Sequence, residues 1–357
     1  MRTMVYVANS VKGGIKAFVL NRQDSTLEES GGYMTDDGVA PLAISPDRRF
    51  LYAAIRTERF RVAAFTIDSA SGELHFLNAV PVPAAPTYMS VDGSGRFLLF
   101  ASYSGDLVCV MALGREGMAQ PEPVCLLRPG RNPHCIVLDA SNRFAYVPLL
   151  GNDQIVQYRF DAATGALVSN NPAFVATLRE AGPRHLVLQP DNRFAYLLTE
   201  LGGEVVQYVV NRDTGALTVA HGVPLLPPER ALPPGTYQPP HNRSGGGNSP
   251  TPVMWAADIR VTPDSRYLYA SERTGSTLSR FGIDSVSGRL DLLEVMATEL
   301  QPRAVAMDPF GRYLLAAGEQ SNHVSLYHLS ERDGALSLFA RHETGKAPTW
   351  IEVVVLQ

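Results

Sequence analysis

The chain has 357 residues, with 31 Lys and Arg against 35 Asp and Glu and a formal charge of −4. That balance argues against nucleic acid or an anionic membrane as the main partner, while leaving room for a local basic pocket. The three cysteines, Cys109, Cys125 and Cys135, are odd in number and lack metal-ligand spacing, which points to a reducing compartment. The opening run MVYVA is too short for the apolar core of a signal peptide, and no stretch reaches the length of a membrane span. The expectation is a soluble cytoplasmic protein.

In chain order the predicted elements repeat. The chain opens on MVYVAN (4–9), and the same kind of strand returns in PDRRFLY (46–52), SGRFLLF (94–100), SNRFAY (141–146), PDNRFAY (190–196), PDSRYLY (263–269) and FGRYLLA (310–316). The arginines of the phrase are Arg49, Arg96, Arg143, Arg193, Arg266 and Arg312, spaced by 47, 47, 50, 73 and 46 residues. A fixed period of that size is the mark of stacked sheet units such as propeller blades. Each copy continues into a second alternating run, for example RVAAFTID, IVQYRFD or VVQYVVN. A turn such as DSASGEL, DAATGAL or RDGAL follows, whose Asp and Gly suit a tight hairpin needing a residue at positive φ. A further short strand comes next. Another apolar run then precedes the following copy: PLAIS, PTYMSV, PHCIVL, PRHLVL, ADIRVT and PRAVAM, with PTWIEVVV (348–355) as the seventh at the end of the chain.

Four strands per unit, seven units and no sustained helical period give an all-β fold, a seven-bladed β-propeller. It forms one domain over 1–357. Because the chain starts on the second strand of a blade and ends on a first strand, the last strand is predicted to complete the sheet of the first three. The exception to the period is 222–254, rich in Pro, Gly, Ser and Asn and without strand alternation. It reads as an insertion, either a mobile loop or a functional one.

In a propeller the innermost strands line the central channel, so equivalent residues can be compared around the ring. The second residue of each inner strand is Ala40, Thr87, His134, Arg184, Ala257, Arg303 and Thr349. The position ending each second strand is Ser10, Arg56, Tyr103, Leu150, Glu200, Arg273 and Glu319. Four of the seven inner positions hold Ala or Thr, so His134, Arg184 and Arg303 are not needed to build a blade. Arginines on one rim suit carboxylate or phosphate, and a nearby His can move protons near neutral pH. Glu200 is a candidate base or orienting group, and Arg273 a candidate anion holder. Trp255 and Trp350 stand at strand starts by the same rim and are candidate substrate contacts, though packing is the commoner role for such residues. The competing reading is that these charges simply pair with one another in a wet channel. By strand alternation His185 faces away from Arg184, into blade packing. No HExxH, CxxC pair or phosphate-binding glycine loop is present, so neither a metal nor a cofactor is expected.

The motifs GPRH (182–185), WAADI (255–259), ERT (272–274), TELQPRA (298–304), AAG (316–318) and PTW (348–350) lie in this order within the repeat. With them the chain resembles the seven-bladed propeller family of bacterial 6-phosphogluconolactonase, over essentially its whole length except 222–254. The family also includes a carboxymuconate lactonizing enzyme. The resemblance implies action on lactones that bear anionic groups, without a metal, and carries His134, Arg184 and Glu200 as functional positions. Two positions depart from the family pattern: Leu149, where relatives often have Asp, and Glu319, where they often have Gln. The implied function is a lactone hydrolase acting on an acidic sugar lactone such as 6-phosphogluconolactone, with Arg273 and Arg303 holding the distal anion. A muconate-type cycloisomerase and a non-catalytic propeller that binds a partner on its rim remain open at this point.

Overall fold

A computed structural model describes residues 2–21, 26–35, 37–57, 59–237 and 251–356. Among these, 28 strands form seven antiparallel sheets of four. Six sheets each take four consecutive strands in chain order, over residues 39–81, 88–127, 137–176, 183–224, 256–297 and 302–343. The seventh takes β28 (Lys346–Leu356), β1 (Arg2–Lys12), β2 (Ile15–Asn21) and β3 (Thr26–Tyr33) in that order, and β28 runs antiparallel to β1 from Arg2 opposite Leu356 to Ala8 opposite Trp350. The ring therefore closes through the pairing expected from the sequence. The first strands, β4 (Val39–Ile44), β8 (Tyr88–Val91), β12 (Val137–Leu138), β16 (Pro183–Leu188), β20 (Ala256–Val261), β24 (Pro302–Met307) and β28, are innermost. From blade to blade β28 leans on β4, β4 on β8, β16 on β20, β20 on β24 and β24 on β28.

The second strands are apolar without alternation because both of their faces are covered. FLYAAI, FAYVPL and FAYLLT are buried at every residue. The repeated RF phrase joins neighbouring blades. Tyr6, Tyr146 and Tyr196 each donate a hydroxyl hydrogen bond to the carbonyl of the turn glycine of the next blade, Gly72 at 2.7 Å, Gly215 at 2.8 Å and Gly288 at 2.8 Å. The phrase arginines Arg143 and Arg193 donate to backbone carbonyls of the same neighbouring turns, Arg212 and Ser285, and Arg266 donates to the Glu331 carbonyl in the turn of its own next blade. One recurring phrase thus supplies both the strand core and the seam between blades.

The segment 222–254 departs from its sequence reading. β19 (Leu217–Pro224) runs into it, and Leu225, Leu226 and Met254 are buried in one apolar cluster with Phe194, Leu198 and Ile259. Gly235 N–H donates to the Leu201 carbonyl at 2.9 Å. The ends of the insertion therefore belong to the core; the Leu225–Leu226 pair ahead of the prolines was the signal. The remainder, 238–250 with its three consecutive glycines, lies outside the described residues.

A second departure concerns β16. Pro183 pairs with Thr199 and His185 with Leu198, so Arg184 is an extra residue in a bulge. Comparable register shifts recur in β4, β20 and β24, at the same channel end. A bulge re-aims side chains that strict alternation would send to opposite faces.

Candidate active site

The residues singled out from the sequence come together at one end of the channel. His134 precedes β12, and its N–H donates to the Pro148 carbonyl at 3.0 Å, extending the inner edge of that blade. Arg184 projects from the β16 bulge. Glu200 follows β17 (Phe194–Thr199) directly, its N–H bonded to the Gly182 carbonyl at 2.7 Å. Arg184 Nε donates to Glu200 Oε2 at 2.7 Å, and Nη1 donates to the Ala257 carbonyl across the blade boundary. The other carboxylate oxygen, Oε1, accepts from Trp255 Nε1 at 2.9 Å and lies 3.2 Å from Arg273 Nη2. His134 Nε2 is 3.9 Å from Glu200 Oε2. His134, Arg184 and Arg273 expose only 2 % of their side chains, so these charges act in a medium far less polar than water.

His134 and Arg184 border a narrow well of about 20 Å³, room for about one water. Its wall carries Arg56, His134, Arg184, His185, Arg303 and Trp350, with small Ala40, Thr87 and Thr349 between them. The ring position read from the sequence is thus the wall itself. Trp350 takes part in it, and its Nε1 donates to Glu352 at 2.8 Å. Trp255 and Arg273, expected to touch substrate, are not among the residues that line this well; both contact Glu200 Oε1. The Arg273 guanidinium lies 3.5 Å from the centre of the Trp255 ring, and it donates to the Trp255 and Ala256 carbonyls at 3.1 and 3.0 Å. Burial pushes the Arg273 pKa well below its ordinary value, with Glu200 acting in the opposite sense.

Two wall residues were not assigned from the sequence. His185 was expected in blade packing; the bulge turns it onto the channel instead, with its ring centre 5.2 Å from that of His134. Arg56, just after β5 (Phe50–Ile55), appeared in the ring comparison but gave no contrast there, since Arg273 occupies the equivalent position. Arg303 Nη1 lies 3.2 Å from both oxygens of Glu319. Burial opposes the Arg303 charge, but the Glu319 carboxylate outweighs it and holds the guanidinium above its ordinary pKa. Burial likewise raises the Glu319 pKa, and Arg303 and then Arg273 more than reverse this.

Beside the well, on the same rim, a larger pocket of about 370 Å³ is bordered by Arg131, Leu150, Asp153, Leu201 and Tyr237. Tyr103 packs with Leu150 and Leu201, lies edge-on to His134 at 5.7 Å and stacks on Tyr237 at 6.5 Å. Its ring separates His134 from that vestibule. Among the described residues no group of three or more His, Cys, Asp or Glu is placed to hold a metal ion.

The family described as "Lactonase, 7-bladed beta-propeller" matches residues 4–353. The chain belongs to this lactonase family. Curated relatives agree in length and extent. The 6-phosphogluconolactonase of Pectobacterium carotovorum subsp. carotovorum (strain PC1) is 34% identical over 361 residues, covering 100% of both chains. That of Erwinia tasmaniensis is 32% identical over 357 residues, covering 99% of each. Among solved structures, a periplasmic gluconolactonase of Pseudomonas aeruginosa superposes with a TM-score of 0.85 at 24% identity, covering 100% of both chains. A protein from Lactobacillus plantarum gives 0.86 at 24% identity, covering 99% of this chain and all of the other. At that identity the two structures speak for the fold alone, so the lactonase assignment rests on the family match and the curated relatives. No helix is long and apolar enough to cross a membrane, among the described residues.

Proposed function

We propose that this lactonase-family protein hydrolyses an acidic sugar lactone, 6-phosphogluconolactone to 6-phosphogluconate, at the mouth of the well at the channel end, the well itself holding the attacking water. The observation that carries this reading is the lining of the wall: three arginines, Arg56, Arg184 and Arg303, face the cavity, while Glu200 and Glu319, which pair with Arg184 and Arg303, are not among the lining residues. Such a lining favours an anionic substrate and, more strongly, a transition state in which new negative charge appears. The names of the curated relatives support the same substrate class.

In this reading water attacks the lactone carbonyl carbon while Arg184 holds the developing oxyanion. Glu200 is a poor base, because both of its oxygens already face donors, Arg184 on one side and Trp255 and Arg273 on the other. His134 therefore takes the proton from the attacking water. The tetrahedral intermediate then collapses, the ring C–O bond breaks, and His134 returns the proton to the departing alkoxide. The product is the open-chain hydroxy acid, whose carboxyl proton passes to solvent and leaves the carboxylate. Glu200 orients Arg184 and faces the imidazolium formed in between, while Trp255 and Arg273 hold Glu200. Trp350 covers one side of the ring, and Arg303 and Arg56 take the distal anion. No cofactor enters. We place the protein in the cytoplasm, a reading supported by its three free cysteines, of which Cys109 and Cys135 are buried.

The test is ring opening by the purified chain on 6-phosphogluconolactone, unphosphorylated gluconolactone and a carboxymuconolactone. We expect hydrolysis of the first with kcat/KM at least about tenfold above the second, one charge-assisted contact's worth of discrimination. Arg56→Ala and Arg303→Ala should narrow that ratio through KM. Turnover no faster than spontaneous hydrolysis on all sugar lactones would overturn the reading, and preference for the muconolactone would replace it with the cycloisomerase.

A further inference from the structure

We infer that Glu352 is a positioning residue, whose carboxyl group holds the Trp350 indole in one orientation on the wall of the well and so sets how the substrate ring is seated. This rests on the lactonase reading, in which Trp350 covers one side of that ring, and it adds a side chain that the chemistry above does not use.

Trp350 is 7 % exposed and lines the well beside His134, Arg184 and His185. Tyr88 of β8 meets the indole edge-on with ring centres 5.1 Å apart, and His185 of β16 stands at 6.2 Å. Both ring contacts depend on where the indole lies, not on which of its edges carries the N–H. The torsion that turns an aromatic ring about its Cβ–Cγ bond has two broad wells, so packing alone leaves the indole two orientations. The hydrogen bond distinguishes them, because Trp350 Nε1 donates to Glu352 Oε1 at 2.8 Å. The two residues stand two apart on β28, and their register with β1 is unbroken, Ala8 opposite Trp350 and Tyr6 opposite Glu352. Alternation therefore puts both side chains on one face of the strand, within reach of each other.

Glu352 is partly buried and borders a second cavity, of about 240 Å³, together with Arg260, Met307 and Asp308. The groups that face it come from several strands. Arg260 and Asp258 of β20 act on its charge in opposite senses, and Tyr88 of β8 feels that charge in turn. On β1, Tyr6 stands opposite Glu352 and gives its hydroxyl to the Gly72 carbonyl. Asp308, just beyond β24, is occupied by the N–H groups of Arg312 and Tyr313 at 2.6 and 2.8 Å. β4 brings no titratable side chain. Arg260 Nη1 is committed to Asp258 Oδ1 at 2.7 Å, which leaves Oε1 of Glu352 to the indole. Burial pushes the Glu352 pKa up to about 7, and Trp350 and then Arg260 draw it partway back. The carboxyl therefore changes charge near neutral pH. A hydrogen bond to an ionised acceptor is about twice as strong as one between neutral groups, so the hold on Trp350 tightens as the pH rises.

The chain has two tryptophans, so the near-ultraviolet circular dichroism of Trp350 is isolated by subtracting the spectrum of the same chain carrying Trp350→Phe. Glu352→Gln keeps an acceptor oxygen and the side-chain length. Glu352→Leu keeps the bulk and removes the acceptor. We expect the Trp350 band to survive in the Gln variant and to fall by at least about half in the folded Leu variant, as for an indole shared between two orientations. On 6-phosphogluconolactone the Leu variant should raise KM about tenfold with kcat within about threefold, the pattern of lost uniform binding. A merely structural Glu352 predicts a lower melting temperature, with the band and KM of the folded protein unchanged, and that result overturns the proposal. A collapsed band with an unchanged KM overturns it too, since the seating of substrate would not depend on the indole. Should the Leu variant not fold, a pH titration decides. The Trp350 band should then change with a midpoint near pH 7 in wild type and stay level in Glu352→Gln. A level band in wild type, or a transition that persists in the Gln variant, overturns the proposal. Should wild type open no lactone, the functional reading fails on its own, and the band comparison still tests the hold of Glu352 on Trp350.

Discussion

In the proposed mechanism Glu200 has a part in both catalysis and stability. It faces Arg184, Arg273 and Trp255, all buried, and removing it would leave two guanidinium groups without their carboxylate. Removing one partner of a buried ion pair costs about 3–5 kcal/mol. Glu200→Ala should therefore lower both the melting temperature and the rate. His134→Ala should lower the rate by about 10²–10⁴-fold with little change in melting, since Ala or Thr fills the equivalent position in four other blades. Thermal melting beside turnover separates the two. The pH dependence of stability follows from His185 and Asp258, whose Nδ1 and Oδ1 lie 2.9 Å apart. The His185 pKa is depressed from 6.5 to about 4, so between those values the unfolded chain binds more protons than the folded one. The stability tied to neutral His185 is fully present above about pH 6.5 and is lost as the pH falls toward 4. Burial raises the Asp258 pKa, but Arg260 and then His185 outweigh it and hold it well below the ordinary carboxylate value, so its contribution is lost at still lower pH. In His185→Phe the fall of melting temperature between pH 6.5 and 4 should be shallower than in wild type. Most of this site was legible because seven equivalent positions could be compared, and His134, Arg184 and Arg303 stood out as large residues in a ring of small ones. His185 was not legible: alternation assumes an unbroken strand, and the bulge at Arg184 cancels that assumption.

At the scale of elements, the repeat was legible because each blade carries its own seam. The turn glycine shows why the phrase DxxxG travels with RFxY. Gly288 has φ +69°, and a Cβ there would lie 2.5 Å from the Phe194 ring and 2.7 Å from Gln207 Nε2. Its carbonyl also accepts from Tyr196. Gly288→Ala combines a left-handed backbone with a clash against a buried ring and should cost about 1–3 kcal/mol, read as a lower melting temperature. Tyr196→Phe, which removes only the hydroxyl, should cost about 1 kcal/mol. The insertion was legible as an interruption but not in its limits. Proline and glycine content marked the whole of 222–254, whereas Leu225, Leu226 and Met254 pack in the core. Replacing 222–254 with a short Gly and Ser link should destabilise the fold, about 2–5 kcal/mol for each large core side chain lost. A replacement melting like wild type would mean that these three side chains contribute nothing.

At the scale of the molecule, stability depends on a seam that chain connectivity does not supply. Six blades are continuous in sequence, and the seventh holds only because β28 returns to β1. Deleting 348–357 removes the pairing from Ala8 opposite Trp350 to Arg2 opposite Leu356, and leaves the edge of β1 open. It also removes five buried apolar side chains, Trp350, Ile351, Val354, Val355 and Leu356, each 7 % exposed or less. At about 1.5–3 kcal/mol for each, the burial lost is about 8–15 kcal/mol, as large as the whole stability of a typical domain. Thr349 and Trp350, two residues of the well, go with it. The truncated chain should accumulate as insoluble protein or show no cooperative melting, and it should open no lactone. A synthetic peptide of residues 346–357, added during refolding, should restore both solubility and turnover, because β28 meets β1 through backbone hydrogen bonds and apolar contacts that need no covalent link. A truncated chain that melts cooperatively at the wild-type temperature would show that the ring is held by its other interfaces and that the last strand is dispensable.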